Sequence, residues 1–301
     1  MLDAMSMDQL RTFIAAAEEG SFSAAGRRLR RAQSVVSHTL ANLELQVGFP
    51  LFERTGRYPV LTDAGRALLA QARDAVGAMD AFKARARLLA EGLEPELAVV
   101  VDVMFPIATL TATVQAFKQQ FPSVPLRLYV EALGAVLEPL LKGQCRIAVI
   151  GSLPDVPPQC VPEYLFDVPL ATVVAPAHPL AGWAGKVPRA EAARHTQLVL
   201  TDRSALTAGR SFGVLSGDAW HLADLGAKHA FLRAGLGWGH MPLHMVQADL
   251  DAGTLVRIAL ETLPVVGGGI AMHALHLKEQ PPGPAGRWFV ERLRGVPESL
   301  V

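Results

Sequence analysis

Leu68, Leu69, Ala72, Ala75, Val76, Met79, Phe82, Ala86 and Leu89 recur at spacings that put them along one side of a single long helix over residues 63–91. A stripe of that length exceeds what a small domain ahead of it can cover. It calls for a partner, and antiparallel pairing with the same helix of a second subunit is the simplest; packing within one chain is the alternative. Gly92 and Pro95 end the segment and divide the 301-residue chain into a short N-terminal part and a longer remainder.

Ahead of the stripe, Leu10, Phe13, Ile14 and Ala17 give residues 7–19 an apolar helical face, with Ser6 and Gln9 spaced for a capping box and Gly20 as its stop. Ser23 is the expected cap of a short second helix through Ala24, Ala25 and Leu29. A turn at 30–32 leads to a third helix over 33–47, buried through Val36, Leu40, Leu43 and Val47 and ended by Gly48. Residues 51–61, with Gly56 at the turn, read as a two-stranded wing, and Thr62 caps the long helix. Two short helices joined this way, with Gln33, Ser34, Ser37 and His38 on the outer face of the second, describe a helix-turn-helix. Charge points the same way. Lys plus Arg equals Asp plus Glu at 28 each, yet six arginines and two acids lie between Arg27 and Arg57, a local balance of +4. From Leu93 onward there are 16 bases and 18 acids. Candidate DNA contacts are Ser23, Arg30, Arg31, Ala32, Gln33, Ser34, Ser37, His38, Arg54 and Arg57, hydrogen-bonding groups for base edges and cations for phosphates.

Ser21-Phe22-Ser23-Ala24-Ala25, Gln33-Ser34-Val35-Val36-Ser37, Pro50-Leu51-Phe52-Glu53-Arg54 and Leu61-Thr62-Asp63-Ala64-Gly65 together resemble the signature of LysR-type transcriptional regulators. The resemblance implies a winged helix-turn-helix over 1–62, a dimerisation helix over 63–92 and an α/β effector-binding domain over 93–301. That domain would have two subdomains, 93–163 with 269–301 and 164–268, like periplasmic binding proteins. It also implies double-stranded DNA bearing an interrupted palindrome, a small-molecule effector, a homodimer or homotetramer, and RNA polymerase as a candidate partner. Two positions depart from the family. Ala32 replaces the usual Ser or Thr, removing a side-chain cap worth roughly 1 kcal/mol. His38 replaces the usual Arg, an imidazole for a permanent guanidinium charge, and Arg30 and Arg31 are placed to compensate.

The C-terminal two-thirds alternates Val-rich strands with helices: strands at 96–103, 126–130 and 147–150, helices at 107–121 and 134–142. After a Pro-rich passage come strands at 168–174 and 197–200, a mostly helical 221–235, a strand at 270–277 and a helix at 286–294. Such alternation predicts a mostly parallel sheet. Ligands of open α/β sheets bind beyond the carboxyl ends of strands, which nominates Asp102, Val103, Met104, Phe105, Pro106 and Glu131 to Gly134 in one half. Thr201, Asp202, Arg203 and Ser204 are nominated in the other. Gly235 to Pro242, with Trp238 and His240, matches the family's glycine-rich turn near its cleft. Gly267 to Gly269 suits a return crossing or an ordinary surface loop. Met104 and Phe105, with Trp238 opposite, favour an aromatic or apolar effector carrying one acidic or polar group, taken by Arg203 or a helix start.

Other classes find little support. No run of eighteen apolar residues or signal-peptide core occurs, so a soluble, cytoplasmic protein is expected. Cys145 and Cys160 are too few for a disulfide framework; buried, inert thiols are preferred over a redox pair. Gly235-x-Gly237 lacks the third glycine of a dinucleotide fingerprint. The pairs His240/His244 and His273/His276 have no carboxylate at metal-site spacing, so no cofactor or metal is expected. A small-molecule enzyme with an appended DNA-binding head is the rival reading.

Overall fold

The computed structural model describes residues 5–53, 58–151, 156–261 and 269–294; Arg54, Gly56 and Arg57 of the expected wing, and Gly267 and Gly268, lie outside them. The chain divides into two units, Met1–Glu91 and Gly92–Val301.

The first unit is built from α1 (Met7–Glu19), α2 (Phe22–Leu29), α3 (Gln33–Val47), β1 (Phe52–Glu53), β2 (Val60–Leu61) and α4 (Asp63–Ala90). Its helix ends are set by local chemistry. Ser6 and Gln9 form the expected capping box, and Gly20 ends α1 at φ +64°. Ser21, not Ser23, caps α2: its hydroxyl accepts from the Ala24 amide, while Ser23 accepts from Arg27. The helix begins two residues earlier than expected, and Phe22 at its start packs its ring edge-on to Phe52. Phe13 meets Phe52 the same way, so the Phe residues of two motifs form one cluster. The α2–α3 turn is a Schellman motif, with the Arg30 and Arg31 amides donating to the Arg27 and Gly26 carbonyls and Arg30 at φ +54°. A Cβ on Gly26 would lie 2.7 Å from the Arg31 oxygen, so this turn needs glycine there. Thr62 caps α4, accepting from the Gly65 amide at 2.9 Å. The first third of the apolar stripe is covered within the chain: Leu68, Leu69 and Ala72 join the three-helix core. The requirement for a partner starts further along, where Phe82 is 69% exposed and Leu88 and Leu89 are also exposed.

The second unit begins with β3 (Leu97–Asp102), α5 (Ile107–Gln120), β4 (Leu126–Glu131), α6 (Gly134–Leu141) and β5 (Ile147–Ile150). Every β3 residue is buried, flanked by β4 and β5 in parallel register, as the Val-rich run requires. Then follow β6 (Cys160–Val174), β7 (Lys186–Val187), α7 (Arg189–Ala192), β8 (Gln197–Leu200) and β9 (Ala219–Leu222). The chain continues through α8 (Leu225–Arg233), β10 (Gly239–Pro242), α9 (Leu243–Asp251), β11 (Val256–Leu260), β12 (Gly269–Leu277) and α10 (Pro284–Arg294). Residues 219–222 are a strand beside β8 rather than the start of a helix.

The sheet order is β4-β3-β5-β12-β6-β11-β7, with β10 also on β6 and a separate β8-β9 pair. The expectation of a mostly parallel sheet is corrected: among the described residues, four of this unit's eight ladders are antiparallel. The reason is β6, a fifteen-residue strand that pairs with β12 over its first ten residues and receives β10 and β11 over its last five. The position 163/164 proposed as a subdomain boundary falls inside this continuous strand. At the other end of the unit, the buried Glu94 carboxylate accepts from the Ala285 and Gly286 amides and so caps the start of α10.

Candidate functional site

The outer surface around the α2–α3 turn is the first candidate. Gln33, Ser34 and His38 are exposed and Ser37 is half-buried; His38 is hydrogen-bonded to Asn42 at 3.2 Å. Ala32 opens α3 without a side-chain cap, as its identity dictates. The arginine count overstates the free charge here. Arg31 pairs with Asp8 at 2.6 Å, and Arg28 pairs with Glu18 and Glu19, acids of α1 outside the counted window. The Arg31 and Arg28 guanidinium groups in turn hold the Asp8 and Glu18 carboxyls below their ordinary range. Arg30 is exposed at the positive-φ position of the turn.

The second candidate is a cavity of about 600 Å³ in the second unit, lined from one side by Met104 and Leu133 and from the other by β6, β8, β10 and β11. Its interior is mostly carbon: Leu170, Leu198, Leu200, Phe212 and Ile270 contribute alongside Met104. Thr172, Gln197 and Lys228 are buried polar residues of the wall, and His240 is half-buried there. Thr172 Oγ1 is 2.8 Å from His240 Nδ1, a contact set by the antiparallel β6–β10 register that pairs these two residues. Lys228, on α8, is 3% exposed, and its ammonium donates to the His240 carbonyl at 2.7 Å. Burial lowers the Lys228 pKa to about 8; burial and then the Lys228 charge lower that of His240 to about 4, so the imidazole is neutral.

Of the residues nominated from sequence, Met104, Leu133 and His240 line this cavity. The others have different work. Asp102, 1% exposed, accepts from the Met104 and Gly151 amides and ties the ends of β3 and β5 together. Val103 is half-buried, its amide donating to the Glu131 carbonyl; the Glu131 side chain is exposed. Phe105 packs against Phe166, and Pro106 is the buried residue preceding α5. Asp202 accepts from the Ala135 amide at 2.9 Å, from Ser204 at 2.7 Å and from Thr207, latching the loop after β8 onto the start of α6. Gly134 makes room for it, since a Cβ there would meet Ser204 Oγ at 2.3 Å. Thr201 is half-buried and Arg203 is exposed. Trp238, expected on the cleft wall, is fully buried in a separate cluster, its indole donating to the Ala192 carbonyl. The glycines around it permit close backbone approach: Cβ atoms on Gly237 and Gly239 would meet the Thr196 and Leu198 oxygens at 2.4 and 2.8 Å.

Lys228 and Thr172 were not nominated from sequence. Lys228 had a signal: it interrupts the apolar face formed by Leu225 and Leu232 at spacings of three and four. Thr172 had none, because its role depends on strand register. Neither histidine pair shares a helical face. His240 is on a strand and His244 on the following helix, while His273 and His276 share β12. Among the described residues no three His, Cys, Asp or Glu side chains gather as a metal site, and no helix is long and apolar enough to cross a membrane. Burial pushes the Cys145 thiol up to about 11, against the low value a reactive thiolate needs.

A family model described as the bacterial regulatory helix-turn-helix protein of the lysR family matches residues 7–66, and one described as the LysR substrate binding domain matches residues 90–297. The HTH-type transcriptional regulator PunR of Escherichia coli K12 is 30% identical over 291 residues, covering 95% of this chain and 91% of its own. The uncharacterised HTH-type transcriptional regulator YeeY of the same organism is 29% identical, covering 85% of this chain and 84% of its own. Among solved structures, CbnR, a LysR family transcriptional regulator, superposes with a TM-score of 0.60 at 25% identity, covering 96% of this chain and 100% of its own. These relatives are regulators rather than enzymes, which sets aside the enzyme with an appended DNA-binding head.

Proposed function

The chain belongs to the LysR family of bacterial DNA-binding transcriptional regulators, with an effector-binding domain following its helix-turn-helix, and on that premise we propose how its two units divide the work. Two subunits pair through the exposed part of α4 and present α3 twice to an interrupted palindrome. Gln33 and Ser34 face base edges, and Arg30 takes a phosphate. The Gln33 amide can pair with adenine through two hydrogen bonds, worth about 1–3 kcal/mol of discrimination. The target makes the cytoplasm the place of action. If Gln33→Ala and Arg30→Ala both leave specific binding intact in a gel-shift titration, this placement is wrong.

The effector is a small aromatic or otherwise apolar molecule with one acidic or polar group, seated in the cavity that Met104 enters. The cavity itself carries this reading: about 600 Å³, apolar over most of its wall, with a few polar side chains among the lining residues. Those are the proportions of a small-molecule site. Its wall includes Leu133 and Leu200, next to the segments that Asp202 latches together. A ligand that favours one state of that latch shifts the balance between arrangements of the dimer on DNA. Calorimetry on the full-length protein tests the site. Apolar acids should bind wild type and lose affinity in Met104→Ala, whereas tight binding of a small aliphatic dicarboxylate indifferent to that change would refute it.

A further inference from the structure

Lys228 is a buried charge with no opposite charge paired to it among the described residues. On α8 it stands between Leu225 and Leu232, and its stem passes so close to β10 that a Cβ on Gly239 would come within 3.2 Å of its Cε. An ammonium carries three donors. One reaches the His240 carbonyl; none of the described carboxylates pairs with it. An ion pair would remove much of the cost of desolvating that charge, and no described residue supplies the anion. The apolar face of α8 would be better filled by Leu or Met if packing were the only demand. Lys228 instead borders the cavity, beside His240 and Thr172.

We propose that Lys228 is the anion anchor of this cavity and that the effector is a monocarboxylate with an apolar body of roughly six to twelve carbons. Its carboxylate pairs with the Lys228 ammonium. This rests on the reading of the cavity as the effector site. When Thr172 donates to Nδ1 of His240, the neutral ring carries its proton at Nε2 and is a second, uncharged donor beside the ammonium. The remaining wall explains why one negative charge is accommodated and not two: a second carboxylate would lie against Leu198, Leu200 and Phe212 with no buried cation to meet it. The other cations of the cavity, Lys186 and Arg257, are exposed at its edge together with Glu261.

The test uses full-length protein and matched probes: 3-phenylpropanoate and octanoate, each with its primary amide, extended to a panel of apolar monocarboxylates and their amides. Binding is followed by calorimetry and by thermal shift read from tryptophan fluorescence, all four tryptophans lying beyond Gly92. At least one acid should bind wild type tenfold or more tighter than its amide at pH 7. Lys228→Met should abolish that difference while leaving the amide's affinity within about twofold. Wild type alone supplies a second readout, independent of how the variant folds. The acid's affinity should be flat to about pH 8 and fall tenfold per unit above it, as the unliganded ammonium loses its proton. The titratable groups facing Lys228 are His240 on β10 and, at the cavity edge, Lys186, Arg257 and Glu261; the β6 and β8 residues lining the cavity carry none. No acid preferred over its amide, or an acid bound equally by Lys228→Met, overturns the anchor. Loss of both probes in Met104→Ala would then show the cavity reading standing while the anchor alone fails. An acid that ignores both Met104→Ala and Lys228→Met overturns the cavity reading too.

Discussion

Replacing Lys228 by Met should stabilise the unliganded second unit, and the gain should depend on pH in a direction that no packing effect imitates. Burial lowers the lysine pKa from 10.5 to about 8. At roughly 1.4 kcal/mol per unit, the charged form costs the folded state roughly 3 kcal/mol below pH 8. Methionine fills a similar volume without the charge, but it leaves the His240 carbonyl without its donor, a loss of about 1–3 kcal/mol. The net gain expected at pH 7 is therefore about 1 kcal/mol. Between pH 8 and 10.5 the folded chain has shed this proton while the unfolded chain still holds it. Wild-type stability consequently rises with pH through that window, and the penalty has largely vanished by its upper end. The variant has no such term, so its advantage should shrink by about 2–3 kcal/mol between pH 7 and 10.5. The orphaned carbonyl costs the same at both ends and drops out of that difference. Urea unfolding followed by tryptophan fluorescence reports this unit alone, because Trp183, Trp220, Trp238 and Trp288 all lie within it. An advantage for Lys228→Met that is constant with pH, or that grows as pH rises, would refute the reasoning.

Further substitutions test other parts of the chain. Gly65→Ala places a Cβ 2.2 Å from the Leu51 carbonyl oxygen and should cost the first unit more than about 2 kcal/mol; Gly77→Ala, in open space on the same helix, should instead gain about 0.5–1 kcal/mol, both read by hydrogen exchange of α1–α3 and α4 amides. Arg30→Gly relieves the positive φ and should stabilise the helix-turn-helix by about 1 kcal/mol. It should also lower the salt slope of DNA binding by about 1, and an unchanged slope would remove Arg30 from the phosphate contacts. Phe82→Asp combined with Leu89→Asp should shift the sedimentation profile toward smaller species and weaken DNA binding; an unchanged oligomer with unchanged affinity would show that this exposed end of the stripe has no partner.

The helix-turn-helix was legible to within a residue or two because its determinants are local. A capping box, a Schellman turn and an apolar repeat of three and four residues are each settled within one or two helical turns, and Ser6, Gly20, Gly48 and Thr62 all act where their chemistry places them. Even there, contacts between helices escaped: the pairs Arg31–Asp8 and Arg28–Glu18 neutralise part of a charge cluster that looked free along the chain. In the second unit β3, β4, β5, β8, β12 and the later half of β6 followed from apolar runs, whereas β7, β10 and β11 were not read and β9 was taken as helix.

Pairing itself was another matter. β6 meets β12 about a hundred residues later in the chain, and the register that sets Thr172 against His240 is chosen by burial of whole sheet faces, which no short window contains. That choice sent Asp102 and Asp202 to structural hydrogen bonds and Trp238 into the core, and it brought Lys228 to the cavity. The sequence by itself determined the helices of the first unit, many of the elements of the second, the order of the units and the DNA-binding motif, because those depend on neighbours a few residues apart. Only the tertiary structure decided which polar side chains share the cavity, because a binding site is made where distant segments meet and its cost of desolvation is set by all of them at once.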